Sequence, residues 1–133
     1  IILQVGVKIL IKNKEGKFLL VRRSLEKYPE IKGRWDVVGG RIEPGTSLLE
    51  NLQREVFEET KLKLLGIPTL IAAQDILRIP GKHIVRLTYT GEAEGKIVLD
   101  TAENDSYQWY TKEEIKNLED IDVYLKELYE SKF

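Results

Sequence analysis

The sequence predicts a mixed α+β domain, with helices packed on a mixed sheet, and three observations predict it. Val5, Val7, Ile9 and Ile11 alternate near the start in the period-2 pattern of a strand. Ser47, with Glu50 three residues later, opens a segment of helical period that runs to about Thr60. A second strand-rich stretch follows, and the chain closes on further helix signals. The order strand-rich, helix, strand-rich, helix is not a regular βαβ repeat. With 133 residues, 42% of them hydrophobic, the chain fits one domain over 1–133 with one sizeable core.

Each element has its own signal. Asn13–Gly16 is a turn, and Lys17–Arg23 reads as the returning strand of a hairpin. Ser24–Arg34, polar and holding Pro29 and Gly33, is a loop. Trp35–Val38 is a short apolar segment running into Gly39-Gly40, and Glu43-Pro44-Gly45 turns into the helix. On that helix Leu48, Leu49, Leu52 and Val56 share the face expected to meet the core. Ile67–Leu77 reads as one or two strands, Pro80-Gly81 as a turn and His83–Thr90 as a strand. Gly91–Asp105 is polar around Ile97–Leu99, and Tyr107–Tyr110 is a last strand. Thr111 with Glu114 signals a short helix. A final helix, about Ile121–Glu130, is expected to pack through Val123, Leu125, Leu128 and Tyr129.

Composition excludes several chemistries. There is no Cys, which removes disulfides, thiol nucleophiles and cysteine-based metal sites, and a single His removes multi-histidine zinc. The 21 basic and 22 acidic residues leave a net charge of −1, so no stable nucleic-acid partner is expected. No apolar run reaches the ~18 residues of a membrane span, and Ile1–Lys12 is too polar for a signal peptide. The expectation is a cytoplasmic protein.

Chemistry points to the central helix. Glu55, Glu58 and Glu59 fall within an arc of ~100° beside its apolar face. Like charges at these spacings repel by ~0.2–0.5 kcal/mol per pair. A hard divalent cation, which prefers carboxylate oxygen, is the natural compensation. Glu50 and Arg54 stand on another side, spaced for an ion pair. A solvated acidic face is the plain alternative, and the acids of the C-terminal segment show how common one is.

Gly40-Arg41-Ile42-Glu43-Pro44-Gly45-Thr46, followed by Arg54-Glu55-Val56-Phe57-Glu58-Glu59-Thr60-Lys61-Leu62, resembles the Nudix box of the Nudix (MutT-like) hydrolases. Seven of its nine specified positions match. Arg22-Arg23, the approach from Trp35 to Gly40, and Glu103 ahead of Trp109 sit where that family has comparable features. Two positions depart: Thr46 stands for a Glu that helps to hold the box arginine, and Lys61 stands for Gly. Glu43 or Glu50 is the expected substitute partner for Arg54. A left-handed Lys61 would cost roughly 1 kcal/mol or more relative to Gly.

The resemblance implies an α/β/α sandwich and Mg²⁺- or Mn²⁺-dependent hydrolysis of a nucleoside diphosphate linked to another group. A nucleoside triphosphate cleaved to monophosphate and pyrophosphate is the leading substrate. ADP-ribose, a nucleotide sugar or a dinucleoside polyphosphate is the alternative, and a non-catalytic nucleotide-binding module is a third reading. Expected metal ligands are Glu58 and Glu59, with the Gly39 carbonyl completing the shell. Glu55 is ligand or general base, Glu103 fourth ligand or base, and Arg54 orients the glutamates. Gly40, with Arg22 or Arg23, is expected at the substrate; strand neighbours face opposite sides, so the two arginines differ in reach. Trp35, Tyr107 and Trp109 are more simply core residues than base-stacking ones, and His83 reads as structural. The expected partner is a small nucleotide, and the assembly a monomer or homodimer.

Overall fold

A computed structural model describes residues 1–131 and places β1 (Ile2–Ile11), β2 (Phe18–Arg23), β3 (Trp35–Asp36) and β4 (Val38–Arg41) before α1 (Leu48–Thr60). After it come β5 (Lys63–Ile76), β6 (Lys82–Glu94), β7 (Asn104–Tyr110), α2 (Lys112–Lys116) and α3 (Val123–Glu130). One sheet has the order β4-β1-β6-β5, with β1 and β6 parallel and the other neighbours antiparallel. A second, antiparallel sheet has the order β3-β2-β7.

Two apolar clusters explain the layering. Val7, Ile9 and Ile11 of β1 and Leu19 and Val21 of β2 pack with Leu52 and Val56 of α1. The alternate residues Leu10, Phe18 and Leu20 pack with Ile115 of α2 and Leu125, Leu128 and Tyr129 of α3. Successive strand residues point to opposite sides, so β1 and β2 are buried on both faces and read as apolar runs. Helices cover both faces of the strand layer, the expected α/β/α arrangement. Among the described residues no helix is long and apolar enough to cross a membrane.

Several expectations need correction. The Asn13–Gly16 turn closes, with Asn13 N–H donating to Lys17 O at 2.9 Å and one Lys12–Phe18 bridge, but β1 and β2 do not continue as a hairpin. β4 occupies one edge of β1 at Gly6–Ile9 and β6 the other along Ile2–Ile11, so β2 turns away to β3 and β7. Leu48 and Leu49, on the first turn of α1, are exposed rather than in the core. Asn51, Leu52, Val56, Glu59 and Thr60 are the buried residues of that helix. Val123 is also exposed, and Tyr124 takes the buried place beside it. Of the stretch expected as one or two strands, Ile67–Ile76 lies in the single strand β5, which has two register shifts and ends before Leu77, and β6 runs past Thr90 to Glu94.

Candidate active site

α1 positions the acids. Ser47 caps its start, with Oγ accepting the Glu50 N–H at 3.2 Å, and Lys61 ends it at φ 65°. Between these caps, burial of Leu52 and Val56 fixes the helix rotation and turns Glu55 and Glu59 toward β4. The backbone of β4 lies close against them. A Cβ on Gly39 would stand 2.0 Å from Val7 O, and one on Gly40 would stand 2.5 Å from Glu55 Oε2. Only glycine lets the strand approach so near.

Glu59 is buried in this contact. Its Oε2 accepts the Gly39 N–H and its Oε1 accepts Asn104 Nδ2, each at 3.0 Å. Burial, the largest influence, raises the carboxyl pKa against the pull of Lys8, Arg23 and those two hydrogen bonds. Glu103, in the turn just before β7, accepts hydrogen bonds from Lys27 Nζ and Tyr28 Oη. Its partial burial favours the neutral acid, but these bonds, with the Lys27 and Arg23 charges, outweigh it and hold the pKa below the ordinary value.

Arg54 does not pair with Glu50. Its Nη1 donates to Glu55 at 3.0 Å and Glu58 at 3.4 Å, its Nη2 to Asn51 Oδ1 at 2.9 Å, and Glu43 lies 3.8 Å from Nε. Glu50 is engaged with Ser47 instead. Asn51 was not anticipated. Fully buried, it accepts the Glu43 N–H at 2.8 Å and donates to the carbonyls of Thr46 and Ser47, so one amide ties the turn to the helix. Its position one residue before Leu52, on the core side of a helix, was the available signal.

A cleft of about 690 Å³ gathers Gly39, Gly40, Glu55, Glu58, Glu59, Glu103 and Arg23. Arg23 stands 3.9 Å from each of Asp36, Glu59 and Glu103, at the limit of ion pairing. Arg22 is not brought there: it donates to Asp105 at 2.7 Å and lies over the Trp35 ring at 5.8 Å. Arg54 stands behind the glutamates rather than in the cleft wall. Trp35 meets Tyr110 edge-on, Trp109 packs against the α1-side core, and Tyr107 is exposed. His83 pairs with Asp75 at 2.7 Å.

The floor holds a cluster that sequence reasoning missed. Arg86 is buried, donating to Asp36 at 2.9 Å and Asp122 at 3.0 Å, and Lys8 lies 3.4 Å from Asp36. Burial works against the Asp36 charge, but Arg86, Lys8 and Arg23 outweigh it and hold that carboxyl far below its usual range. Burial and Arg23 lower the Lys8 pKa.

Among the described residues, no three His, Asp or Glu side chains converge closely enough to hold a metal unaided. The donors facing the cleft are all oxygen, from Glu55, Glu58, Glu59 and the β4 backbone. That set fits Mg²⁺, which keeps several waters and takes the rest of its shell from substrate oxygens.

The NUDIX domain model matches residues 2–131. A relative described as 8-oxo-dGDP phosphatase NUDT18, from Danio rerio, is 34% identical over 99 residues, or 74% of this chain and 28% of that protein. The chain thus spans under a third of that relative's length. An RNA pyrophosphohydrolase from Bartonella bacilliformis is 24% identical over 136 residues, or 85% of this chain and 80% of that one. Among solved structures, a MutT protein from Methanosarcina mazei Go1 superposes with TM-score 0.81 and 28% identity, covering 97% of this chain and 91% of its own. A MutT NUDIX hydrolase from Burkholderia pseudomallei shares the fold at TM-score 0.83 and 20% identity, with both chains covered completely.

Proposed function

The chain belongs to the NUDIX family, and from that premise we propose that it is a Mg²⁺- or Mn²⁺-dependent pyrophosphohydrolase. It cleaves a nucleoside diphosphate–X bond, with a nucleoside triphosphate hydrolysed to monophosphate and pyrophosphate as the leading reaction. The observation that carries this reading is the meeting of Glu55, Glu58, Glu59 and Glu103 with Arg23 in one cleft. A guanidinium forks naturally onto phosphate oxygens. The carboxylates around Arg23 all stand at 3.9 Å, so an incoming phosphate competes there with no short ion pair.

Glu55, Glu58, Glu59 and the Gly39 carbonyl would hold the divalent ion. When bound, such an ion neutralises phosphate charge and acidifies a water. Arg54 keeps Glu55 and Glu58 side by side through its Nη1. Asn104 and the Gly39 amide orient Glu59. Lys27 and Tyr28 hold Glu103 beside the other acids, and Glu55 or Glu103 receives the proton of the attacking water. Thr46 and Lys61 leave these contacts in place.

The test is hydrolysis of a nucleotide panel with Mg²⁺ or Mn²⁺, before and after chelation, with Glu58→Gln as control. The panel includes 8-oxo-dGDP, because a relative 34% identical is described as its phosphatase. Metal-dependent turnover lost in Glu58→Gln supports the reading. Nucleotide binding without turnover on any substrate would replace it with a non-catalytic module.

A further inference from the structure

Past the carboxylates, the same cleft continues into an end of different chemistry. Ile76, Ile79 and Ile84 line it, beside Arg78 and Tyr124. Tyr124, in the first turn of α3, is 8% exposed, and two guanidiniums lie against its ring: Arg78 Cζ at 5.2 Å and Arg86 Cζ at 5.8 Å from the centroid. The two arginines differ in what else they hold. Arg86 is buried and clamped by Asp36 and Asp122. Arg78 is exposed, on the turn between β5 and β6, and among the described residues no carboxylate pairs with it.

We infer that Arg78, backed by Tyr124, is the residue on which the nucleobase of the substrate stacks. The inference deepens the nucleotide reading above and rests on it. A guanidinium is planar, so with one face against an aromatic ring the other can take a second flat π system. The carboxylates and Arg23 fix the phosphates at one end of the cleft. That leaves the base for the stretch walled by isoleucines, whose apolar surface suits the faces of a heterocycle. A cleft of about 690 Å³ has the size of a site for a whole small molecule and exceeds what a diphosphate alone needs. An arginine salt-bridged at this place would hold its plane to the carboxylate; Arg78 is free to align with the base.

The experiment uses the full chain with Arg78→Ala and Arg78→Lys. In Mg²⁺ buffer, calorimetry measures binding of a non-hydrolysable nucleoside triphosphate analogue and of imidodiphosphate, which carries no base. Steady-state kinetics on the panel's best substrate run beside it. Both variants are expected to lose about 5- to 30-fold in nucleotide affinity, since lysine keeps the charge but not the plane. KM should rise in step, with kcat within about twofold of wild type and imidodiphosphate binding unchanged. Equal losses for both ligands would mark Arg78 as a phosphate contact and overturn the inference. Full affinity in Arg78→Lys, unchanged affinity in both variants, or wild-type protein that binds nucleotide no better than imidodiphosphate would also overturn it. Because binding is read directly, a base-dependent affinity lost in both variants, in a wild type without turnover, would sink the proposed hydrolysis and leave the stacking role standing.

Discussion

Asp36→Asn is the substitution that most directly tests the charged floor of the cleft. Asp36 is 4% exposed and lies 2.9 Å from Arg86, 3.4 Å from Lys8 and 3.9 Å from Arg23. Removing one partner of a buried ion pair costs about 3–5 kcal/mol, because the other charge is left uncompensated. Two features of the cluster place the cost at the low end. Asp122 still holds Arg86 at 3.0 Å, and Lys8, its pKa already lowered, can shed its proton. The expected loss is thus about 3 kcal/mol at neutral pH, a fall in Tm of about 10–15 °C for a domain of this size. Thermal and urea unfolding of wild type and variant measure it.

The pH dependence gives a second reading of the same group. The folded Asp36 carboxyl titrates below its unfolded value of 3.8. Its contribution is therefore present above that value and lost as pH falls toward the folded one. The gap between the two proteins should shrink steadily below about pH 4. A loss under about 1 kcal/mol at pH 7, or a gap that stays constant into acid, would refute the account of the floor as an ion cluster bound through Asp36.

Other substitutions separate site from scaffold. Gly40→Ala sets a Cβ 2.5 Å from Glu55 Oε2, and the flexible carboxylate yields; kcat should fall by about 10²-fold or more while Tm barely moves. Lys61→Gly relieves a left-handed residue, worth ~1–2 kcal/mol, against ~0.5 for the Lys61–Phe57 contact and ~0.4–1 for a looser unfolded chain. The net should be about 0.5 kcal/mol of added stability in urea unfolding, and a clear loss would contradict the strain. Thr111→Ala removes a reciprocal cap from α2 and should cost about 1 kcal/mol, seen first as faster amide exchange over Lys112–Lys116.

What the sequence made legible was local. α1 and α2 follow from caps and period, and Ser47 and Thr111 perform the capping that their spacing predicts. The glutamate spacing on α1 was readable for the same reason: three positions on one helix have a fixed geometry whatever surrounds them. Arg86 and Asp36 were not readable, being 50 residues apart and joined only by the meeting of β6 with the end of β3. Their signal was nonetheless present. Arg86 alternates with Ile84 and Thr88 on a buried face, and Asp36 interrupts an apolar segment; a charge on the inward side of a strand requires a partner. The hairpin failed for a related reason. A turn sequence specifies that the chain reverses but not which strand claims the freed edge, and here β4 claims it.

The two departures from the box have different physical remedies. Where a carboxylate is expected at position 46, Thr46 supplies its backbone carbonyl to Asn51, and Arg54 takes its bonds from Glu55, Glu58, Asn51 and the Arg41 carbonyl. One neutral amide thus performs, through two donors and an acceptor, the bracing an acid at that place would perform through charge. Lys61 has no such substitute: its backbone N–H still bonds Phe57 O at 2.9 Å, so the helix ends as a glycine would end it, and the left-handed strain stays in the chain. Neither change reaches the faces of Glu55, Glu58 and Glu59 that meet the cleft. A box judged by residue identity would be marked down twice; judged by what holds its arginine and what ends its helix, it loses stability at one position and the placement of its glutamates at neither.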